Sequence, residues 1–449
     1  MQAPPDDDQG GFLEIVKDPD SLPKVRDEFA RRDARVGELA KLAPQELVEM
    51  IVAGKEANLA ESALRHVGSG AGPVLLNSLQ QDKRLRAKDS EALERVLSCL
   101  EQSSKTVPVE LLAPLGTDPR KPVRKKIAVL LGSTGRREAV EPLTALLRDE
   151  DEYVRSFAMI GINRAVEENR ATPEFRSGLF EPVAALCFGT ADVLHHPSRC
   201  LLGLERERAI AYLTQPHRLK ARQPGLYEVL QSLEETESPV DEQLLLAVWN
   251  ELEADASKYP NDYVLEATLP LLAAHDTAAA RAVIERGARS SAQQVRIGAA
   301  RARAKLAGLD DPFRSAWAPP EGKDWSDFTE PQRHVSAVQI LDAEVRNGGF
   351  LQYFFNSSGD QWPAAAAGLT AIGAKRDREL VDRAIALFGP TPPSTDREER
   401  ARQLAALAEK DEEAFGKLEE AYYKDPDDLE VLLLDYVIKP ADDFRQPTK

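Results

Sequence analysis

Apolar residues recur with the period of an α-helix along most of the chain. In the first such stretch Val25, Phe29, Val36 and Leu39 fall on one helical face, which predicts a helical lead-in that begins at about residue 20. Strong helix formers dominate the composition, and runs that alternate apolar with polar residues are scarce. We therefore predict an all-α fold.

Two segments of the chain repeat one pattern, 31 positions apart. In each segment leucines precede an aspartate and a Val-Arg pair follows it: Asp118 with Val123–Arg124, and Asp149 with Val154–Arg155. A weaker third copy contains Val295–Arg296. The pattern predicts helical hairpins in which the aspartate caps the second helix and the arginine lies at the edge, beside acids of the next turn. Since neither helix alone buries its apolar stripe, the hairpins must stack.

On these residues the chain resembles the HEAT-repeat family, whose fold is an armadillo-like α-solenoid. The clear matches cover about residues 107–170. Weaker hairpins extend the pattern, so that residues 20–309 are predicted to form the lead-in and the HEAT-like repeats. The pattern is poor at about residues 165–240, where prolines and polar connections predict an insertion or irregular repeats.

Composition marks the borders of the remaining segments. Residues 1–19 are acidic and rich in proline, which predicts disorder. Residues 310–324 carry turn residues and prolines and are predicted to be a linker. From about residue 325 to 445, closely spaced helix signals predict a compact acidic helical bundle. These signals are two capping-box spacings, Thr329 with Gln332 and Thr395 with Glu398, and Asp425 before Pro426 at the start of a last helix.

An unusual motif lies near the start of this domain. It is dense in aromatic, glycine and amide residues and comprises Asn347, Gly348, Gly349, Phe350, Gln352, Tyr353, Phe354, Asn356, Ser357, Ser358 and Gly359. With it, the domain resembles the C-terminal domain of the DNA-mimic protein family. The resemblance implies a helical domain, and in a relative an acidic surface that imitates DNA and occupies the DNA-binding face of a transcription factor. The motif itself has the chemistry of a core and a turn, so we expect its role to be mainly structural.

The charge of the chain is uneven. Its net charge is −17. Residues 310–449 contain 28 acids and 17 bases, whereas residues 1–309 contain 47 acids and 41 bases. This balance disfavours direct binding to nucleic acid or to an anionic membrane, and it favours a basic or DNA-binding protein as the partner. The alternative is a solvated helix face that only aids solubility. The candidate partner surface comprises Glu409, Asp411, Glu412, Glu413, Glu419, Glu420, Asp425, Asp427 and Asp428.

Catalytic patterns are missing from the sequence. It contains no phosphate-binding loop, zinc-protease helix, nucleophile elbow or dinucleotide fingerprint. Cys187, His195, His196 and Cys200 are of zinc-ligand type, but their spacing fits no familiar site. We therefore expect no catalytic residue, no cofactor and no metal. With three cysteines, no secretory leader and no apolar run of membrane-spanning length, we expect a cytoplasmic protein.

Three functional hypotheses follow from these features. The first is a non-catalytic scaffold, in which the solenoid binds a protein partner and the acidic C-terminal domain binds a basic surface. The second is a DNA-mimic regulator that occupies the DNA-binding face of another protein. The third is an enzyme accessory or a cryptic enzyme whose site lies in residues 165–240.

Overall fold

The structure, a computed structural model, describes residues 21–86, 91–101, 107–189, 197–309, 325–411, 413–424 and 427–444. All regular elements in these ranges are helices and none is a strand, which confirms the all-α prediction. None of these helices is both long and apolar enough to cross a membrane. The predicted disordered segment 1–19 and the predicted linker 310–324 lie outside the described residues.

The chain divides into two compact units, residues 27–251 and a second unit that contains residues 252–449. The helices up to this division are α1 Ser21–Leu39, α2 Pro44–Val52, α3 Ala57–Val67, α4 Gly72–Gln81, α5 Glu91–Leu100, α6 Val109–Leu112, α7 Lys121–Thr134, α8 Val140–Leu146, α9 Glu152–Glu167, α10 Pro173–Ala184, α11 Pro197–Leu204, α12 Arg206–Leu213, α13 Leu226–Glu235 and α14 Glu242–Leu252. Helix α5 packs on α7, α7 on α9, α9 on α11 and α11 on α13, so these helices form one continuous layer.

Small residues allow α7 and α9 to approach closely. A Cβ atom placed on Gly132 would lie 2.7 Å from the backbone of Gly161, and a Cβ atom on Gly161 would lie 2.5 Å from the carbonyl oxygen of Val129. Real Cβ atoms do not approach other heavy atoms this closely, so this packing depends on both glycines. The residues with the clearest repeat pattern thus form a helix pair with close backbone contact.

The arginine of each Val-Arg pair makes the same local bonds in all three copies. Its Nη1 donates to the carbonyl oxygens six and five residues upstream, at 3.1 and 3.3 Å for Arg124, 2.8 and 3.1 Å for Arg155, and 2.8 and 2.9 Å for Arg296. Arg124 also binds Asp149 of the next copy, with its Nε 2.8 Å from Oδ2. Each arginine therefore stabilises the turn before its own helix, and Arg124 also links its copy to the next.

The prediction that the turn aspartates cap the second helices is wrong. Asp118 and Asp149 each accept the amide hydrogen two residues further on, at 2.9 and 3.0 Å, and so close a turn. The cap of α9 is Asp151, whose Oδ1 accepts the amides of Tyr153 and Val154. The aspartate in the repeat pattern forms the turn instead, three residues before the first residue of the helix. Membership of the HEAT family stays a prediction.

The region at about residues 165–240 contains the helices α10 to α13. Helix α10 has Pro182 in its interior, and α11 and α12 have eight residues each. No regular helix occupies residues 214–225. Proline in a helix removes a backbone donor, and short helices bury little apolar surface, so the weak periodicity of this region has a structural cause.

The second unit contains α15 Asn261–Ala273, α16 Ala278–Gly287, α17 Gln293–Leu306, α18 Glu330–Phe355, α19 Trp362–Ile372, α20 Lys375–Ala386, α21 Arg397–Lys410, α22 Gly416–Tyr422, α23 Leu429–Ile438 and α24 Ala441–Phe444. Helix α17 packs on α23, and its Ala300 and Ala304 share one buried core with Val338, Phe354 and Leu433. The sequence places a border at residues 310–324, whereas in the structure α15–α17 belong to the same unit as the C-terminal helices.

The helix starts of this unit match the sequence signals only in part. Thr329 and Gln332 form the predicted capping box of α18. For α21 the predicted Thr395 box is wrong by one position, because Asp396 accepts the amide of Glu399 at 2.9 Å. The last long helix, α23, begins at Leu429 rather than beside Asp425, which lies outside the described residues.

Candidate functional site

A double-glycine kink organises the start of the C-terminal domain. Helix α18 is interrupted at Gly348 and Gly349, where Gly349 has a φ of 78°, and helical geometry resumes at Phe350. A side chain at Gly349 would collide with the carboxylate of Glu419, and that carboxylate accepts the Phe350 amide at 2.8 Å. Glu419 therefore caps the second part of α18. Burial raises the pKa of this carboxyl group, and the backbone amides of Phe350 and Leu351 oppose that rise.

Three motif side chains converge on a single carboxylate. Glu344, one turn before the kink, accepts hydrogen bonds from Gln352 Nε2 at 2.7 Å, Asn356 Nδ2 at 3.0 Å and Ser358 Oγ at 2.8 Å. Because the kink turns the second part of α18 back, residues 8, 12 and 14 positions away reach this one carboxylate. The amide and hydroxyl residues of the motif thus fix the path of the chain after the kink.

A buried arginine completes the network. Arg400 on α21 is 0% exposed. Its guanidinium donates to the carbonyl oxygens of Phe354 at 2.5 Å, Ser394 at 2.7 Å and Asn356 at 2.9 Å, and to the carboxylate of Asp360 at 2.6 Å. A buried charge is stable only when it is paired and fully hydrogen-bonded, and these four acceptors provide that. Arg400 therefore ties α21 to the end of the motif.

The aromatic residues of the motif lie in the core. Phe350, Tyr353 and Phe354 are fully buried. The ring of Phe350 lies 5.6 Å from that of Tyr422 in a T-shaped arrangement, and the ring of Phe354 lies 5.0 Å from that of Phe388. Such pairs stabilise a core beyond the area they bury. The aromatic part of the motif is therefore packing, and no ring of it is presented to solvent.

Glu344 and Arg400 are the residues that sequence reasoning missed. Arg400 shares one helix face with Leu404 and Ala408, at i, i+4 and i+8, and all three are buried. An arginine on the apolar stripe of a helix signals a buried ion pair. Glu344 gave a weaker signal, because a carboxylate next to the buried Val345 is ordinary on an amphipathic helix.

The structure separates the candidate acidic residues into two classes. Three are used within the domain: Glu419 as the cap of the kinked helix, Asp427 as the acceptor of the Arg376 and Asp377 amides at the start of α20, and Asp428 in an ion pair with Arg296 at 2.6 Å. Four are exposed and form no ion pair with any described residue: Glu409, Asp411, Glu413 and Glu420. Glu412 and Asp425 lie outside the described residues. These four exposed acids, which lie on the last turn of α21, in the connection after it and on α22, are here called the acidic segment.

Two of the internal ion pairs connect the last repeat-like helix with the domain. Arg296 binds Asp428 and Arg303 binds Asp435, both between α17 and α23, at 2.6 and 2.8 Å. Arg296 is the arginine of the third Val-Arg copy. It pairs with Asp428 as the arginine of the first copy, Arg124, pairs with Asp149. These two ion pairs therefore fasten α17 to the start and the middle of α23. For this reason Asp428 is not available to an external partner.

The cysteine and histidine cluster gains no support as a metal site from the described residues. Cys187 and Cys200 are buried, and burial raises the pKa of the Cys187 thiol to about 12 and that of Cys200 further. Metal ligation needs the thiolate, which these surroundings disfavour. No group of three or more possible ligands occurs among the described residues. His195 and His196 lie outside them.

Comparison with known proteins gives one family match. Residues 326–439 match the family described as DMP19-like protein. The C-terminal domain is DMP19-like. The match begins just after the predicted linker, ends within the predicted domain, and contains the whole motif, the Glu344 network and Arg400. A search of curated proteins gave no match to the chain.

Proposed function

We propose that the chain is a non-catalytic protein-binding protein, in which the acidic segment of the DMP19-like domain binds a basic surface of a protein partner. The helical repeats serve as a scaffold in this proposal and provide a second binding surface. The observation that carries the proposal is the division among the acids. Those with structural tasks are bonded internally, while Glu409, Asp411, Glu413 and Glu420 remain exposed and make no ion pair with a described residue.

The physical basis is electrostatic complementarity. Exposed carboxylates keep most of their hydration, so they attract a basic surface over about a Debye length without a large desolvation cost. Lys410 and Lys417 are also exposed beside them, which reduces the local net charge. A mixed surface of this kind favours a specific pattern of partner charges over general attraction to any polycation.

A second candidate function is DNA mimicry, and the match to the DMP19-like family favours it. In that case the basic surface is the DNA-binding face of the partner, and the exposed carboxylates stand in for phosphates. Duplex DNA carries about one charge per 1.7 Å of helix axis, so a mimic must present a dense row of acids. Competition by duplex DNA separates the two functions.

The test uses the full-length chain as bait in a lysate of its source cells. One variant neutralises the acidic segment (E409Q/D411N/E413Q/E420Q), and a control variant neutralises four exposed acids of the first unit (E150Q/E167Q/E207Q/E237Q). We expect a partner that the wild type and the control retain and that the acidic-segment variant loses. Release of this partner by duplex DNA supports mimicry. Equal retention by both variants contradicts a role for the acidic segment.

A further inference from the structure

We propose that a cationic face on the first unit binds a run of acidic residues in a protein partner. This face is formed by Lys121, Lys125 and Lys126 of α7, Arg164 of α9, and Arg65 and Arg95 of the neighbouring helices α3 and α5. The inference rests on the proposed protein-binding function and gives the chemical class of ligand for the helical repeats.

Lysines and aromatic rings alternate at one end of the face. Tyr153 and Phe157, one turn apart on α9, lie beside Lys121 and Lys125, one turn apart on α7. The Lys121 ammonium lies 4.8 Å from the Tyr153 ring centre, and that of Lys125 lies 5.5 Å from Tyr153 and 5.1 Å from Phe157. Lys121 also binds Asp151 at 2.6 Å, but no described carboxylate forms an ion pair with Lys125. The rings fix this ammonium at the surface and leave its charge uncompensated by an acid.

At the other end of the face, each of two carboxylates lies near two cations. Glu101 is the only acid near both Lys126 and Arg164 in the described ion pairs, at 3.0 and 3.9 Å. Glu61 is likewise shared by Arg65 at 2.8 Å and Arg95 at 2.9 Å. A cavity of about 250 Å³ opens between them, lined by Arg65, Ser98, Glu101 and Arg164. A carboxylate entering this cavity would meet two guanidinium groups, which bind carboxylates through paired hydrogen bonds.

The charge balance distinguishes the face from the rest of the chain. Its six cations form ion pairs with four described carboxylates, Glu61, Glu91, Glu101 and Asp151, and Glu152 also lies near Lys121, so the cations still outnumber these acids, whereas the chain as a whole carries −17. An excess of positive charge on one face of such an acidic protein selects ligands that carry local negative charge. The face draws its cations from four helices, α3, α5, α7 and α9, so a peptide with several acids can contact more than one of them.

The same geometry favours an acidic peptide over a nucleic acid. Binding of single strands without sequence preference depends on bases that stack on open aromatic faces. Here lysine ammonium groups lie over the rings of Tyr153 and Phe157 and compete with a base for stacking on them. The net charge of −17 also repels a long polyanion more strongly than a short peptide.

Fluorescence anisotropy with the full-length chain tests the proposal. The probe is a short fluorescein-labelled oligoglutamate peptide, with oligoglutamine as the uncharged reference and oligothymidine as the nucleic-acid comparison. The test variant is K121Q/K125Q. The control is K83Q/K220Q, which removes two exposed lysines of the same unit that are not part of this face. Melting curves establish that both variants are folded.

We expect the wild type to bind oligoglutamate and not oligoglutamine, with about five-fold weaker binding for K121Q/K125Q and less than about two-fold for the control. Equal weakening in both variants shows dependence on net charge alone and overturns the proposal. Tighter binding of oligothymidine than of oligoglutamate to the wild type overturns it as well. If oligoglutamate does not bind while the acidic-segment variant still loses its partner, this inference fails and the proposed function stands.

Discussion

Removal of the Arg400 side chain should destabilise the DMP19-like domain more than any surface substitution. Arg400→Met keeps the apolar stem of the side chain but deletes four hydrogen bonds, of 2.5 to 2.9 Å, from a residue that is 0% exposed. Three carbonyl oxygens and the Asp360 carboxylate then lose a charged donor. Breaking a buried ion pair costs about 3–5 kcal/mol. Because Asp360 keeps 37% of its side-chain exposure, we expect a loss near the lower end, about 3 kcal/mol.

Urea unfolding followed by tryptophan fluorescence measures this loss, because Trp362 lies in the DMP19-like domain and Trp325, one residue before it, packs against the same core. The matched control is Arg402→Met, two residues further along the same helix, whose side chain is 63% exposed and pairs only with exposed acids. The control should cost less than about 1 kcal/mol. A cost for Arg400→Met within about 1 kcal/mol of the control would refute the assigned role of Arg400.

Three further predictions follow from the geometry. Gly161→Ala should destabilise the first unit by about 1–3 kcal/mol in thermal or urea unfolding, since the new methyl group overlaps the backbone of α7, whereas Gly37→Ala on α1 meets no atom within 4 Å and should be neutral or stabilising. Glu419 has a raised pKa in the fold, so its contribution to stability is fully present below the ordinary value of 4.5 and is lost as the pH rises through the raised pKa; Glu419→Gln should flatten this part of the stability–pH curve, and an unchanged curve would show that burial does not act on this carboxyl group. A double-mutant cycle of Arg296→Met and Asp428→Asn should give a coupling energy of about 0.5–1 kcal/mol in urea unfolding, and zero coupling would contradict the link between α17 and the domain.

Much of the fold follows from local rules in the sequence. Helical periodicity predicts the helix content, and the Val-Arg repeat locates α7, α9 and α17, because a buried valine and an edge arginine have fixed places in a stacked hairpin. Local rules do not predict whether the aspartate of the repeat caps a helix or closes a turn. Asp118 and Asp149 have the chemistry of a cap and of a turn alike, and only the backbone path after them decides between the two.

The contacts that join distant parts of the chain are the least predictable. The glycines and aromatic residues of the motif are recognisable from the sequence. Its carboxylate acceptor Glu344 and its guanidinium donor Arg400 look like ordinary residues of amphipathic helices. The same limit applies to Asp428, which reads as part of an acidic run and is bonded to Arg296, 132 positions away. The local sequence shows where acidic residues cluster, and long-range packing decides which of these residues remain exposed.

The salt dependence of partner binding shows whether the acidic segment binds a basic surface. The affinity of a captured partner for the full-length chain would be measured at increasing KCl concentrations, with the acidic-segment variant and its control in parallel. We predict that binding by the wild type and the control weakens steeply as salt screens the carboxylates, and that the acidic-segment variant binds weakly at every salt concentration. Binding that is insensitive to salt and equal in all three proteins would mean that the acidic segment does not bind the partner.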